Sequence, residues 1–131
     1  MPVVNPTQYA KMLEKAKQEK FAYPAFNVTS TETANAVLLG LKTAGADGII
    51  QVSTGGAEFI SGLGVKSMAK GAIALADYVH YMAQHYDVNV ALHTDHCAPK
   101  YLEGFVLPLI EETERRRAAG RPNLFLSLIH I

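Results

Sequence analysis

Strand-like and helix-like stretches alternate along this sequence about three and a half times, with short connections between them. That period limits the fold more than any other feature. Asn5-Pro6-Thr7 offers a helix start, and Tyr9, Met12, Leu13 and Ala16 recur at helical spacing to about Lys17. Phe21 to Asn27 is a short apolar run, and Pro24 argues against an ordinary central strand because it lacks a backbone donor. A second amphipathic pattern spans 31–44 and closes on Gly45 and Gly48, with the β-branched run 48–53 directly after it. Thr54-Gly55-Gly56 reads as a flexible turn, Val65 to about Tyr86 as a helix, and Asn89 to His93 as a strand. Tyr101 to Gly120 is helical in composition, with Pro108 expected to kink or divide it near Val106–Leu107. A fourth strand would start at Asn123-Leu124-Phe125.

Alternation of this kind is the mark of parallel βα units, so the fold class is α/β. Two architectures remain, an open doubly wound sheet and a closed eight-stranded barrel. No GxGxxG and no Walker lysine follows the first strand, which weighs against a nucleotide-binding open sheet. In both architectures the chemistry gathers at the C-terminal strand ends. Here those positions are Asn27, Ser53 and His93-Thr94-Asp95-His96-Cys97.

Composition narrows the partners. The 131 residues carry twelve Lys plus Arg against twelve Asp plus Glu, a formal net charge of zero. Bulk charge therefore gives no reason to expect nucleic acid or an anionic membrane, and any bound anion must be held locally. Hydrophobic residues make up 49% and charged residues 18%, enough to fill a core. No apolar run approaches the ~18 to 20 residues of a membrane span. Cys97 is the one cysteine and cannot form an internal disulfide, and with no secretory leader the reading is cytoplasmic.

His93-Thr94-Asp95-His96 places two imidazoles and a carboxylate at the end of an apolar strand, where leaving them unpaired and buried would be costly. Within a strand His93 and Asp95 share one face, so His96 joins Asp95 at a site only where the chain turns out of the strand. Imidazole is a good zinc ligand and carboxylate a good proton acceptor. An Asp–His pair that merely caps the following helix or satisfies a loop fits the spacing equally well. Ser53 with Gly55 and Gly56 offers a hydroxyl and backbone N–H groups to a phosphate, or forms an ordinary βα turn. Asn27 is a single amide whose simpler role is to bond the turn into the next helix. His80 and His85 sit on different faces of one helix, Cys97 reads as a small buried packing residue, and Arg115 to Arg117 as a solvated helix end.

Four separated motifs, in order, carry a resemblance. Tyr23-Pro24-Ala25-Phe26-Asn27, Gln51 to Phe59, Gly62-Leu63-Gly64-Val65-Lys66 and Ala91-Leu92-His93-Thr94-Asp95-His96-Cys97 together resemble the class II, zinc-dependent fructose-bisphosphate aldolases, the class IIA type most closely. The resemblance implies a TIM (β/α)8 barrel, of which residues 1–125 supply the N-terminal helix and about the first three to four βα units. It implies cleavage of fructose 1,6-bisphosphate to dihydroxyacetone phosphate and glyceraldehyde 3-phosphate, and the reverse condensation, in glycolysis and gluconeogenesis. Zinc is the implied cofactor, with a second cation, divalent or monovalent, and the implied state is a cytoplasmic homo-oligomer of two or more chains. By position, His96 matches a zinc histidine, Asp95 the acid–base aspartate, Ser53 a residue contacting the glyceraldehyde 3-phosphate portion, and Asn27 a substrate-binding asparagine.

Residues 126–131 depart from the family pattern. Position 131, where the resemblance places a metal-associated aspartate, is Ile, and the other zinc ligands have no counterpart in the sequence. His130 is no replacement, and Leu126 to Ile131 reads as non-native, resembling translated sequencing adapter. The chain alone is accordingly expected to be inactive. Other readings are a tagatose-bisphosphate aldolase of the same family, a non-catalytic half-barrel that binds phosphate or a partner, and a metal-dependent hydrolase built on His96 and Asp95.

Overall fold

The structure is a computed structural model that describes residues 3–126; 127–131, the greater part of the divergent tail, lie outside the described residues. Helix α1 (Pro6–Glu19) starts at a reciprocal cap in which Asn5 and Gln8 each bond the other's backbone N–H, with a proline in the first turn whose missing donor costs nothing there. The chain leaves α1 through Lys20 in the left-handed region (φ 58°). Strand β1 is confined to Ala25–Asn27 rather than the longer run expected. Pro24 lies just before it and takes part through its carbonyl, which accepts from the Ile49 N–H at 2.9 Å.

Helix α2 (Thr31–Ala44) is boxed by Ser30 and Thr33 and ends at Gly45, φ 61°. Strand β2 (Gly48–Val52) then leads into helix α3 (Thr54–Ser61), where a flexible turn was expected. Helix α4 (Met68–Met82) and strand β3 (Val90–Thr94) follow. A single π turn over Leu102–Val106 passes into helix α5 (Leu107–Ala118), so the division falls where Pro108 predicts it. Among the described residues no strand forms at 123–125, although the Leu126 N–H reaches the Leu92 carbonyl at 2.9 Å on the free edge of β3.

The three strands are parallel in the order β1-β2-β3, with Asn27, Gln51 and His93 in register. Residues alternate between faces along each strand. Ile50, Val52, Val90 and Leu92 are fully buried in one core with Leu38, Leu75, Val79 and Leu109 from α2, α4 and α5. Ile49 and Ala91 face the other way, against Val4 and Met12, with Tyr9 and Tyr23 packed around them. The crossover helices α2, α3 and α4 share one side of the sheet, as in a sector of a barrel, whereas a doubly wound sheet places crossover helices on both faces. The N-terminal helix packs on the inner face through Met12, against Ile49 and Ala91, and beyond the end of β3 Asp95 is half-buried and His96 exposed.

Two packing details hold this sector together. A Cβ on Gly71 would lie 1.7 Å from the Ala57 carbonyl oxygen, so α3 and α4 meet at a contact that only glycine permits. The buried Arg116 guanidinium joins α5 to α4 through Asp77 (2.6 and 3.0 Å) and bonds Glu112 on its own helix (2.7 Å). No described helix is long and apolar enough to cross a membrane.

Candidate active site

Strand β3 ends at Thr94, and the Asp95 N–H makes one further ladder-like bond, to the Val52 carbonyl at 2.8 Å. There the chain turns out of the strand, which is the geometry His96 needs to stand beside Asp95. Asp95 is half-buried and His96 exposed. Asp95 Oδ1 accepts from the His96 backbone N–H at 2.8 Å, and Oδ2 accepts from Asn27 Nδ2 at 2.8 Å. The Asn27 bond, with smaller help from the His96 N–H and imidazole, holds the Asp95 carboxyl below the ordinary carboxylate range against the opposing effect of burial. The carboxylate is therefore ionised and oriented before any substrate arrives.

Asn27 is fixed in turn. Its Oδ1 accepts from Gln51 Nε2 at 2.5 Å, so three side chains from the three strand ends form one hydrogen-bonded row. This gives Asn27 more than the turn-bonding role its sequence context suggests, for its amide bonds other strands instead of the local turn. Gln51 is the member of the row that sequence reasoning passes over. Its only signal is an amide in Ile49-Ile50-Gln51-Val52 on the face opposite Ile50 and Val52.

His93 and His96 separate. The His93 ring is buried edge-on against Tyr9 (centroids 5.1 Å apart, planes at 87°), and burial lowers its pKa. Its Nε2 has no partner among the described residues. The His96 imidazole makes no hydrogen bond among them either, but it stands in solvent, free to bind. No group of three or more His, Cys, Asp or Glu side chains is placed to hold a metal among the described residues. What the chain supplies fits one ligand of a larger set: His96 offers a free nitrogen, while both Asp95 oxygens are engaged in hydrogen bonds.

Ser53 caps α3, its Oγ accepting from the Gly56 N–H at 3.0 Å, so that amide is engaged, while the Ser53 hydroxyl donates to no group among the described residues. Ser53 follows Val52, whose carbonyl is the one bonded by Asp95, so it flanks the row without a hydrogen bond to it. Cys97 is fully buried and its thiol pKa is raised by that burial, in keeping with a packing role. His80 is partly buried at the core edge, as its spacing suggests, with Nε2 3.2 Å from the Leu124 carbonyl. Arg116 departs from the expected solvated helix end, because Asp77 and Glu112 draw it into the interior.

Residues 7–119 match the family model described as fructose-bisphosphate aldolase class-II. The chain is 54% identical over 125 residues to the fructose-bisphosphate aldolase of Mycobacterium leprae (strain TN), which covers 95% of this chain and 36% of that protein. It is 43% identical over 131 residues to the fructose-bisphosphate aldolase class 2 of Escherichia coli (strain K12), again 95% of this chain and 36% of the other. The crystal structure of fructose-bisphosphate aldolase from Campylobacter jejuni superposes with a TM-score of 0.90 at 39% identity, over 98% of this chain and 38% of that one. The chain thus spans a little over a third of the length of the relatives it matches.

Proposed function

The chain belongs to the class II fructose-bisphosphate aldolase family, and from that premise we propose that it is the N-terminal part of an enzyme that cleaves fructose 1,6-bisphosphate into dihydroxyacetone phosphate and glyceraldehyde 3-phosphate and runs the reverse condensation. The observation that supports this most is the ionised Asp95, oriented by Asn27 and adjacent to the unengaged His96.

In cleavage, Asp95 takes the proton from the C4 hydroxyl while the C3–C4 bond breaks, so that C4 becomes the aldehyde carbon and the bonding pair passes toward the C2 ketone. In condensation the same carboxyl returns the proton to the aldehyde oxygen. Zinc, when bound, supplies a Lewis acid at the ketone oxygen, and His96 would be one of its ligands beside others from outside this chain. Ser53 and the N-terminal amides of α3 hold the phosphate of the glyceraldehyde 3-phosphate portion, and Asn27 contacts substrate as well as Asp95. Family membership alone supports a homo-oligomer, a second cation, and a cytoplasmic place in glycolysis and gluconeogenesis.

Because one imidazole does not close a zinc site, the 131-residue chain by itself is proposed to be inactive. The test is a cleavage assay of the protein with its barrel completed, with and without a chelator, on fructose and tagatose 1,6-bisphosphates. Zinc-dependent cleavage preferring the fructose ester supports the proposal. Preference for the tagatose ester moves it within the family, and ester hydrolysis without aldol cleavage overturns it.

A further inference from the structure

The side chains of Gln51, Asn27 and Asp95 form a row in which every hydrogen bond runs the same way: Gln51 Nε2 donates to Asn27 Oδ1, and Asn27 Nδ2 donates to Asp95 Oδ2. The direction matters because the row ends on a carboxylate, which when ionised only accepts. An asparagine amide has one oxygen and one NH2, and turning it over would set Oδ1 against the Asp95 oxygens. Asp95 favours this orientation on one side of the amide, and Gln51 favours it on the other through the hydrogen bond that Asn27 Oδ1 receives. The Gln51 backbone is held in the sheet, in register with Asn27 on one side and His93 on the other, which brings its side chain beside that of Asn27.

We propose that Gln51 is a positioning residue for aldol cleavage: by donating to Asn27 Oδ1 it acts with Asp95 to hold the amide in the orientation that turns Nδ2 toward the carboxylate. Gln51 touches neither substrate nor Asp95 in this role and acts through Asn27. The proposal rests on the reading of Asp95 as the base that takes the C4 hydroxyl proton.

Two variants separate locking from mere filling of space. Gln51→Leu removes the donor and leaves Asn27 held by Asp95 alone. Gln51→Glu keeps the shape and reverses the polarity, so that two carboxylates compete for one NH2. A residue needed only for its bulk would tolerate Glu better than Leu; a polarity lock gives the opposite order.

The experiment compares the completed, zinc-loaded enzyme with Gln51→Leu, Gln51→Glu and Asp95→Ala. It measures kcat and KM for fructose 1,6-bisphosphate cleavage, solvent exchange of the C–H protons of dihydroxyacetone phosphate, and thermal melting. That exchange involves no C4 hydroxyl and so bypasses Asp95. Gln51→Glu is expected to lower kcat about tenfold or more and Gln51→Leu by less, with KM changing less than kcat and exchange near wild type. Wild-type kcat in both variants, or a loss in Leu equal to or larger than in Glu, overturns the proposal while an inactive Asp95→Ala keeps the base assignment standing. If Asp95→Ala still cleaves, the base assignment itself falls and the proposal falls with it.

Discussion

Asn27 Nδ2 donates to Asp95 Oδ2 at 2.8 Å, joining the first strand end to the third across 68 positions of sequence. A hydrogen bond to an ionised group is stronger than a neutral one, and its loss leaves the carboxylate both less stable and less well aimed. In the completed enzyme Asn27→Ala is expected to lower kcat/KM for fructose 1,6-bisphosphate roughly ten- to a hundredfold. Steady-state kinetics check this, and an unchanged kcat/KM would remove Asn27 from the machinery.

Gly71 allows α3 and α4 to meet against the Ala57 carbonyl, where an added Cβ would lie 1.7 Å from the oxygen. Because the obstruction is backbone, the helices must separate, at a cost of about 1–3 kcal/mol or more. Gly71→Ala is expected to lower the melting temperature and, by shifting the helix that Ser53 caps, to raise KM for the bisphosphate. A variant that melts like the wild type would show that the contact is softer than it looks.

The period that fixes the fold is legible because burial writes it directly: Ile49 to Val52 is apolar except at Gln51, Val90 to Leu92 is apolar throughout, and each is followed by an amphipathic stretch. Asp95 and His96 are legible because polar groups that terminate such a strand need a reason. Helix α3 is not, since Gly55 and Gly56 have poor helix propensity. Tertiary packing overrides that propensity: Ser53 caps the helix, and a Cβ at Gly56 would crowd Ser53 Oγ at 3.2 Å and Thr29 Cγ2 at 3.3 Å. The part played by Gln51 is hidden for another reason. Its meaning depends on sheet register, a relation between strands that one sequence does not spell out.

Arg116 should prove the main electrostatic tie between α4 and α5. Its guanidinium is buried, yet Asp77 remains 48% exposed, so Arg116→Ala is expected to cost about 2 kcal/mol, less than the ~3–5 kcal/mol of breaking a fully buried pair. The guanidiniums of Arg115 and Arg116 hold Glu112 down to about 2, and Arg116 holds Asp77 below its ordinary value. Folded values below unfolded ones mean that this stabilisation is complete above about pH 4.5 and is lost as pH falls toward 2. Melting curves between pH 6 and 2.5 should therefore converge for the wild type and Arg116→Ala at the acid end; a constant gap would contradict this.

His80 responds at milder acidity. Burial lowers its pKa from the usual 6.5, more than the Leu124 carbonyl raises it. The unfolded chain therefore binds a proton first, and stability present above about pH 6.5 declines as pH falls through that value toward the lower folded one. His80→Gln should flatten the fall in melting temperature between pH 7 and 5, and an unaltered slope would place the effect elsewhere.

The division of labour between Asp95 and His96 is tested most directly by measuring zinc content and fructose 1,6-bisphosphate cleavage together in Asp95→Ala and His96→Ala of the completed enzyme. Asp95→Ala is expected to keep its zinc and lose about a thousandfold in kcat, whereas His96→Ala loses the zinc and the activity with it. Full zinc occupancy in His96→Ala, or near-normal cleavage by Asp95→Ala, would contradict that division.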